Sequence, residues 1–308
     1  MANLPELAPE AGTSSEPRLK VVSGPRPINR RRSRIEMEEI RNEIFDILST
    51  ENPATVRGTF YQLTSRGVIA KTESQYKSTV IRLLSDMRRD GTIPYGWIAD
   101  NTRWMRRPRT YSSLSAMLDH TARTYRRALW DNQEAYVEVW LEKEALAGVL
   151  VDVTSEYDVP LMVTRGYSSL SFLHSAAEVI AAKGKPTWIY YFGDLDPSGL
   201  DIARAVESGI RGMAPAAEVY FERVAVTREQ VEGWDLPTRP TKGTDSRSRN
   251  FAGESVEVDA IPASTLRDLV ADCIQRHIDT DALRQIETAE QLERDTLARM
   301  IAGGAPWK

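Results

Sequence analysis

The side chains best placed to do chemistry are acidic residues that follow two predicted strands. Glu142 comes directly after a Val-rich strand predicted over 136–141. Asp194 and Asp196 follow a second apolar strand, predicted over 187–192. Because an open parallel sheet binds ligands beyond the carboxyl ends of its strands, we expect these three carboxylates at one edge. Oxygen ligands without Cys or His favour Mg²⁺ or Mn²⁺ over zinc. The spacing therefore predicts a site for one of these ions.

Composition excludes several other chemistries. The single cysteine, Cys273, allows neither an internal disulfide nor a cysteine-based zinc cluster. None of the three histidines lies at a metal-ligand spacing from another. Gly184-Lys185 lacks the upstream glycine and the following Ser/Thr of a phosphate-binding loop, so an ATPase is not predicted.

The 308 residues have an ordinary globular composition, and their number favours two domains. No apolar run approaches the roughly 18 residues that cross a bilayer, and the acidic stretch 1–16 lacks a signal-peptide core. We therefore expect a cytoplasmic protein that does not contact membranes.

The net charge of −4 conceals an asymmetry. Residues 1–130 hold 22 basic and 14 acidic side chains, whereas 131–308 hold 18 basic and 30 acidic ones. A basic front half suits contact with a polyanion, and an acidic back half suits cation binding. Random drift of surface charge is the alternative.

The front half is predicted to be a basic arm over 1–34 followed by a winged helix-turn-helix domain over 35–110. Three amphipathic helices are followed by a β-rich stretch over 92–105, and a connecting helix is expected over 111–134. Basic residues on the third helix and the wing suit DNA contact. These DNA-binding candidates are Lys77, Arg82, Arg88, Arg89, Arg103 and Arg106. A small helical domain that binds a protein is the other interpretation.

The back half, 135–308, alternates short apolar strands with helices, which predicts an α/β fold with a mostly parallel sheet. A polar segment over 235–255 is expected to be a loop, and two amphipathic helices are predicted over 264–302. Glu257 and Asp259 precede these helices as an acidic pair. We interpret them as exposed strand charges, with an additional metal ligand, or a group that supports the ligands, as the alternative.

These motifs resemble a known family. Glu142 after its strand and the run Gly193-Asp194-Leu195-Asp196-Pro197-Ser198-Gly199 look like a Toprim metal site. With Leu141-Glu142-Lys143-Glu144-Ala145 and Thr164-Arg165-Gly166-Tyr167, the sequence resembles the A subunit of topoisomerase VI and the related meiotic double-strand-break transesterases. That family places a winged helix before its Toprim domain, and its nucleophile ends an Arg-x-x-aromatic-Tyr motif. Arg57-Gly58-Thr59-Phe60-Tyr61 is similar to this motif.

A helical wheel separates Tyr61 from the packing face of its helix. At about 100° per residue, Val56, Phe60 and Leu63 form one apolar stripe, while Tyr61 and Arg57 lie to its side. We therefore expect both side chains on a face that the core does not cover. Packing, or a hydrogen bond to the DNA backbone, is the alternative for Tyr61. Tyr76 is a weaker candidate because it lies on the buried stripe of its own helix.

The resemblance implies an activity. Tyr61 would form a 5′-phosphotyrosyl bond with DNA, Arg57 would stabilise the reacting phosphate, and Mg²⁺ or Mn²⁺ would be held by Glu142, Asp194 and Asp196. It also implies a homodimer acting on double-stranded DNA near the nucleoid, together with a separate ATPase B subunit for strand passage. Two other functions stay open, namely a Toprim nuclease that hydrolyses DNA and a DNA-binding protein without catalytic activity.

Overall fold

The computed structural model describes residues 32–99, 108–240, 251 and 254–302. In this part of the chain, helices surround a four-stranded sheet whose strands are all parallel. The α/β fold class predicted from strand–helix alternation is confirmed. The arm predicted over 1–34 lies outside the described residues up to position 31.

The three predicted N-terminal helices are present. Ser33 and Thr55 cap the first two by accepting a hydrogen bond from a backbone N–H in the first turn. Gly67 ends the second with a φ of +71°, a conformation that glycine adopts without strain. The pieces are α1 (Arg34–Glu51), α2 (Val56–Ser65), α3 (Glu73–Gln75), a π-helical turn (Tyr76–Val80) and α4 (Ile81–Arg89), of which the last three run continuously.

The β-rich stretch predicted over 92–105 is wrong in its described part, 92–99. A 3₁₀ turn (Tyr95–Trp97) replaces the strand, and a single bridge joins Ile98 to Ala54. Pro94 and Gly96 favour a turn over a ladder at this position. Since the rest of the predicted wing lies outside the described residues, the winged helix stays a prediction.

The sheet has the strand order β2-β1-β3-β4. Leu141 and Phe192, the last residues of the two central strands, are paired, so the chain leaves both strands at the same level. The Glu142 N–H donates to the Phe192 carbonyl at 2.9 Å, which extends this register beyond the strands. The strands are β1 (Tyr136–Leu141), β2 (Leu161–Val163), β3 (Thr187–Phe192) and β4 (Val219–Ala225).

Helices cover both faces of the sheet. The connecting helix predicted over 111–134 is shorter than expected, because Tyr125 ends it with an extended backbone. The two predicted C-terminal helices are present. The helices after the N-terminal group are α5 (Leu114–Thr124), α6 (Ala147–Glu156), α7 (Leu170–Lys183), α8 (Pro197–Met213), α9 (Arg228–Gly233), α10 (Ala263–Gln275) and α11 (Thr280–Ala302).

The core has two parts, one on each face of the sheet. On one face Trp140 and Tyr191 pack against α7 and α8. On the other face the core is continuous from the N-terminal helices through Val139 and Phe192 to α6 and α10. The N-terminal helices and the sheet thus share packing, and the division into two domains at residue 110 stays a prediction. Among the described residues, no helix has the length and apolar character needed to span a membrane.

Candidate metal centre

Glu142 and Asp194 meet at the carboxyl edge of the sheet because β1 and β3 end side by side. The Asp194 N–H donates to Oε2 of Glu142 at 3.0 Å. Gly193 makes this approach possible, since a Cβ at that position would lie 2.5 Å from the same carboxylate oxygen. A third carboxylate, Asp196, is the N-cap of α8, where its Oδ1 accepts a hydrogen bond from Gly199 N–H at 2.8 Å. The three predicted acidic residues therefore lie at one edge of the sheet, as expected.

Lys143 lies at the centre of this edge. Its ammonium group is 3.1 Å from Oδ1 of Asp194, 3.0 Å from Oε2 of Glu257 and 2.9 Å from Oδ2 of Asp259. Lys143 directly follows Glu142 in the sequence. In the structure it joins Asp194 to a second acidic pair, Glu257 and Asp259.

The interpretation of Glu257 and Asp259 as exposed strand charges is wrong. Glu257 is 8% exposed and Asp259 is 3% exposed. Asp259 accepts a hydrogen bond from the Thr55 hydroxyl at 2.7 Å, so it also connects the acidic edge to the N-cap of α2. A buried carboxylate needs ionic or hydrogen-bonding partners, and Lys143 supplies one to each of these residues. Their spacing of two residues carried no signal for this burial.

Arg239 borders the same cluster from the segment that follows α9. Its Nη1 donates to Oε1 of Glu257 at 2.6 Å, and its Nη2 lies 3.4 Å from Oδ2 of Asp196. Two backbone hydrogen bonds with Ser255, each 2.8 Å long, hold this segment in place. The sequence prediction had treated the region as a loop and assigned no role to Arg239.

Arg223 of β4 supports the acidic turn from behind. Its guanidinium donates to the backbone carbonyls of Gly193, Asp194 and Val226. The contacts fix the turn that carries Asp194. An arginine within a strand that is mostly apolar was the sequence signal for this role, and it was missed.

The electrostatics of the cluster follow from burial and from like charges. Burial and the neighbouring Asp194 and Asp196 charges raise the pKa of Glu142 to about 7. Burial raises the pKa of Asp194 as well, against the opposing effect of Lys143. Burial alone would lower the pKa of Lys143, but its three carboxylate partners raise it well above the ordinary value. The ammonium group therefore stays charged, while Glu142 lacks full compensation.

The donor atoms and the charge of this edge suit Mg²⁺ or Mn²⁺, but the side-chain geometry is incomplete. The donor set is all oxygen, which suits a hard cation, and the raised pKa of Glu142 marks a carboxylate that an added positive charge would stabilise. Within the described part of the chain, no three Asp, Glu, His or Cys side chains converge as a ready-made cage. The hydrogen bonds above use Oε2 of Glu142 and Oδ1 of Asp194, so ligation would use their other oxygens. The residues fit in type and charge, and side-chain rotation must complete the geometry.

The expectation that Tyr61 lies on an uncovered face is wrong. Tyr61 is 3% exposed and belongs to the core shared by the helices and the sheet. The helical wheel showed only the apolar stripe, whereas α2 also packs against Val258–Ala260, and the Lys71 ammonium lies 5.2 Å from the centre of the Tyr61 ring. Burial, and then the Glu257 charge, raise the pKa of the phenol above its ordinary value. Three cations, Arg57, Lys143 and Arg239, act in the opposite direction.

Arg57, expected with Tyr61 on a face that the core does not cover, is half-buried and lies beside the acidic cluster. Its Nε is 3.9 Å from Glu257, its Nη1 is 3.7 Å from Glu73, and its guanidinium lies over the Tyr76 ring at 4.2 Å. Tyr76 is half-buried, so its assignment to a buried stripe was only partly right. Its ring contacts Phe60 edge-on.

The predicted DNA-binding residues of the third helix differ in exposure. Lys77, Arg82 and Arg89 are exposed, although Lys77 lies 3.5 Å from Glu73 and Arg89 lies 3.9 Å from Asp86. Arg88 is half-buried against Leu84 and the Tyr95 ring. Arg103 and Arg106 lie outside the described residues.

Comparison with known proteins does not assign the chain to a family. No model of a known protein family matches it, and no curated protein sequence does so either.

Proposed function

We propose that this protein cleaves double-stranded DNA in a reaction that depends on Mg²⁺ or Mn²⁺ held by Glu142, Asp194 and Asp196. The observation that carries the proposal is the placement of these carboxylates at one edge of the sheet, where β1 and β3 end side by side and where Lys143 pairs with Asp194 and Arg239 with Asp196. A bound divalent ion would neutralise charge on the scissile phosphate and orient it. The resemblance to topoisomerase VI A subunits supports the same activity.

DNA is the proposed substrate because several basic side chains are exposed on the N-terminal helices. Lys77, Arg82 and Arg89 are exposed on α4 and the turn before it, where they can contact phosphates without reading sequence. Contacts of this kind predict binding that weakens steeply as salt concentration rises.

Transesterification by Tyr61 is the first form of the proposed reaction. The phenol oxygen would attack the scissile phosphorus and lose its proton, and the 3′ oxygen would leave as a hydroxyl, so that a 5′-phosphotyrosyl bond remains. Arg57, Lys143 and Arg239 all favour the phenolate over the phenol. Because Tyr61 is buried, this reaction needs α2 to expose the phenol when DNA binds. One site cuts one strand, so a double-strand break implies a homodimer, and strand passage would need a separate ATPase subunit.

Hydrolysis without a tyrosyl intermediate is the second form, and the burial of Tyr61 favours it. A phenol with a raised pKa is a weak nucleophile at neutral pH. Water would then attack the same phosphate, and Tyr61 would serve only to pack α2 against the acidic edge.

One experiment tests the proposal and separates its two forms. Duplex DNA labelled at its 3′ ends is incubated with the full chain and Mg²⁺ or Mn²⁺, denatured in detergent, and resolved with and without protease treatment. The variants are Tyr61→Phe, with Tyr76→Phe as its matched control, and Asp194→Asn, with the exposed Asp268→Asn as its control.

Transesterification predicts labelled DNA attached to protein in the wild type, in Tyr76→Phe and in Asp268→Asn, and none in Tyr61→Phe or Asp194→Asn. Hydrolysis predicts free ends that persist in Tyr61→Phe and disappear in Asp194→Asn. Cleavage that is unchanged in Asp194→Asn, or salt-sensitive binding without any cleavage, would contradict the proposal and leave a non-catalytic DNA-binding protein.

A further inference from the structure

Arg239 binds two carboxylates that would respond differently to a metal ion. Asp196 is a proposed metal ligand, and Nη2 of Arg239 lies 3.4 Å from its Oδ2. Glu257 is not one of the proposed ligands, and Nη1 donates to its Oε1 at 2.6 Å. The guanidinium thus spans the boundary between the metal site and the ion pairs behind it.

The position of Arg239 does not depend on Asp196. Its backbone N–H and carbonyl both bond to Ser255 at 2.8 Å, and Glu257 holds the side chain through one oxygen. The other oxygen of Glu257 is bound by Lys143 at 3.0 Å, so this carboxylate is itself fixed. If the contact with Asp196 were lost, Arg239 would remain at the edge of the cluster.

A divalent ion and a guanidinium compete for the same carboxylate. Both are cations, and their mutual repulsion raises the cost of binding Asp196 together. Because the contact at 3.4 Å is the longer of the two, arrival of the ion would release Nη2 and leave Nη1 on Glu257. The released N–H donors of Nη2 would then be available to an oxygen of a phosphate bound near the metal.

We propose that Arg239 is a metal-gated phosphate-binding residue, which neutralises Asp196 in the ion-free protein and binds the DNA phosphate once an ion has replaced it there. The inference rests on the proposed metal-dependent cleavage. A guanidinium suits this role because its fork of N–H donors matches the oxygens of a phosphate. Lys143 is less suited to this role than Arg239. If a metal ion replaced its contact with Asp194, the ammonium group would still be held by Glu257 and Asp259 and would not become available to a phosphate.

Binding of Mn²⁺ to the full chain without DNA, followed by electron paramagnetic resonance, tests the competition. Arg239→Ala should bind Mn²⁺ about fivefold more tightly than the wild type, because a competing cation is gone. Arg211→Ala removes the same charge from α8, where Arg211 pairs with Glu207, and should leave the affinity unchanged. Arg239→Lys keeps the charge and should leave the affinity close to that of the wild type, which controls for misfolding of the alanine variant.

Binding of duplex DNA tests whether Arg239 contacts a phosphate once the metal ion is bound. Ca²⁺ should raise the DNA affinity of the wild type, and Arg239→Ala should lower that increase about tenfold while its affinity in EDTA changes little. An unchanged or weaker Mn²⁺ affinity in Arg239→Ala, or an increase that persists there, would overturn the inference. The proposed function fails separately, namely if Mn²⁺ binding to the wild type is absent or is insensitive to Asp196→Asn.

Discussion

Lys143 and Lys185 lie at opposite edges of the same parallel sheet, and each ammonium group has three oxygen partners. Lys143 follows β1 at the carboxyl edge, where its partners are the carboxylates of Asp194, Glu257 and Asp259. Lys185 precedes β3 at the other edge, where its partners are the backbone carbonyls of Trp130, Asp131 and Gln133.

The two lysines differ in the charge of their partner groups. Backbone carbonyls are neutral, so Lys185 fixes the chain before β1 to the start of β3 without creating an unbalanced charge. Carboxylates repel one another, so the partners of Lys143 require a cation in all conditions. Under the proposed function, a metal ion would replace lysine contacts at the carboxyl edge and would have no such contacts to replace at the edge of Lys185.

The largest expected effect comes from removing each lysine charge. Lys143→Met should lower the free energy of unfolding by about 3–5 kcal/mol, because it leaves buried carboxylates uncompensated. Lys185→Met should lower it by about 1–3 kcal/mol, the cost of losing three hydrogen bonds from a charged donor to partly exposed carbonyls. Urea denaturation with and without Mg²⁺ measures both. Mg²⁺ should restore stability to Lys143→Met only. Equal recovery in the two variants would contradict the view that the ion acts on the carboxylates at the edge of Lys143.

Glu142 provides the next effect, which depends on pH. Its pKa is raised from 4.5 to about 7, so between these values the folded protein binds more protons than the unfolded chain. The free energy of unfolding therefore falls as pH rises through this window, by up to about 3 kcal/mol, and the contribution is lost above pH 7. Glu142→Gln removes this titration. In EDTA, the stability of wild type relative to Glu142→Gln should fall between pH 4.5 and pH 7.5, and a constant difference would contradict the assignment.

The smallest expected effect concerns Thr55, which joins the N-terminal helices to the acidic edge. Its hydroxyl donates to Asp259 at 2.7 Å and accepts from the Gly58 N–H at 2.8 Å. Thr55→Val should cost about 1–2 kcal/mol, since it removes a helix cap and one bond to a buried carboxylate. Thr55→Ser keeps the hydroxyl and serves as the control in thermal unfolding. A loss as large as that of Lys143→Met would mean that Asp259 depends on Thr55 rather than on the lysine.

Much of the fold was predictable from local patterns. The bounds of β1 and β3 follow from apolar runs, and the first two helices follow from their capping residues, from Asn52-Pro53 after the first and from Gly67 after the second. Those signals are local, so they appear in the sequence directly. Because parallel strands end together, the same runs also placed Glu142 next to Asp194.

The contacts between distant segments were not predictable in this way. Glu257 and Asp259 are buried because Lys143 lies more than a hundred residues earlier in the chain and Arg239 approaches from a loop. Tyr61 is buried in the core that the N-terminal helices share with the sheet, and Lys71 lies over its ring, which a wheel drawn for α2 alone does not contain. Helical periodicity reports one packing face, and a second face that packs through mixed polar contacts leaves no such pattern.

The most direct measurement is anomalous scattering at the manganese edge from crystals soaked in MnCl₂. A divalent site at the carboxyl edge predicts one Mn²⁺ at about 2.1 Å from carboxylate oxygens of Glu142 and Asp194 in the wild type. The same peak should be missing from Asp194→Asn and present in Lys185→Met. A Mn²⁺ bound elsewhere, or none at this edge in wild-type crystals, would contradict the assignment of these carboxylates as a metal centre.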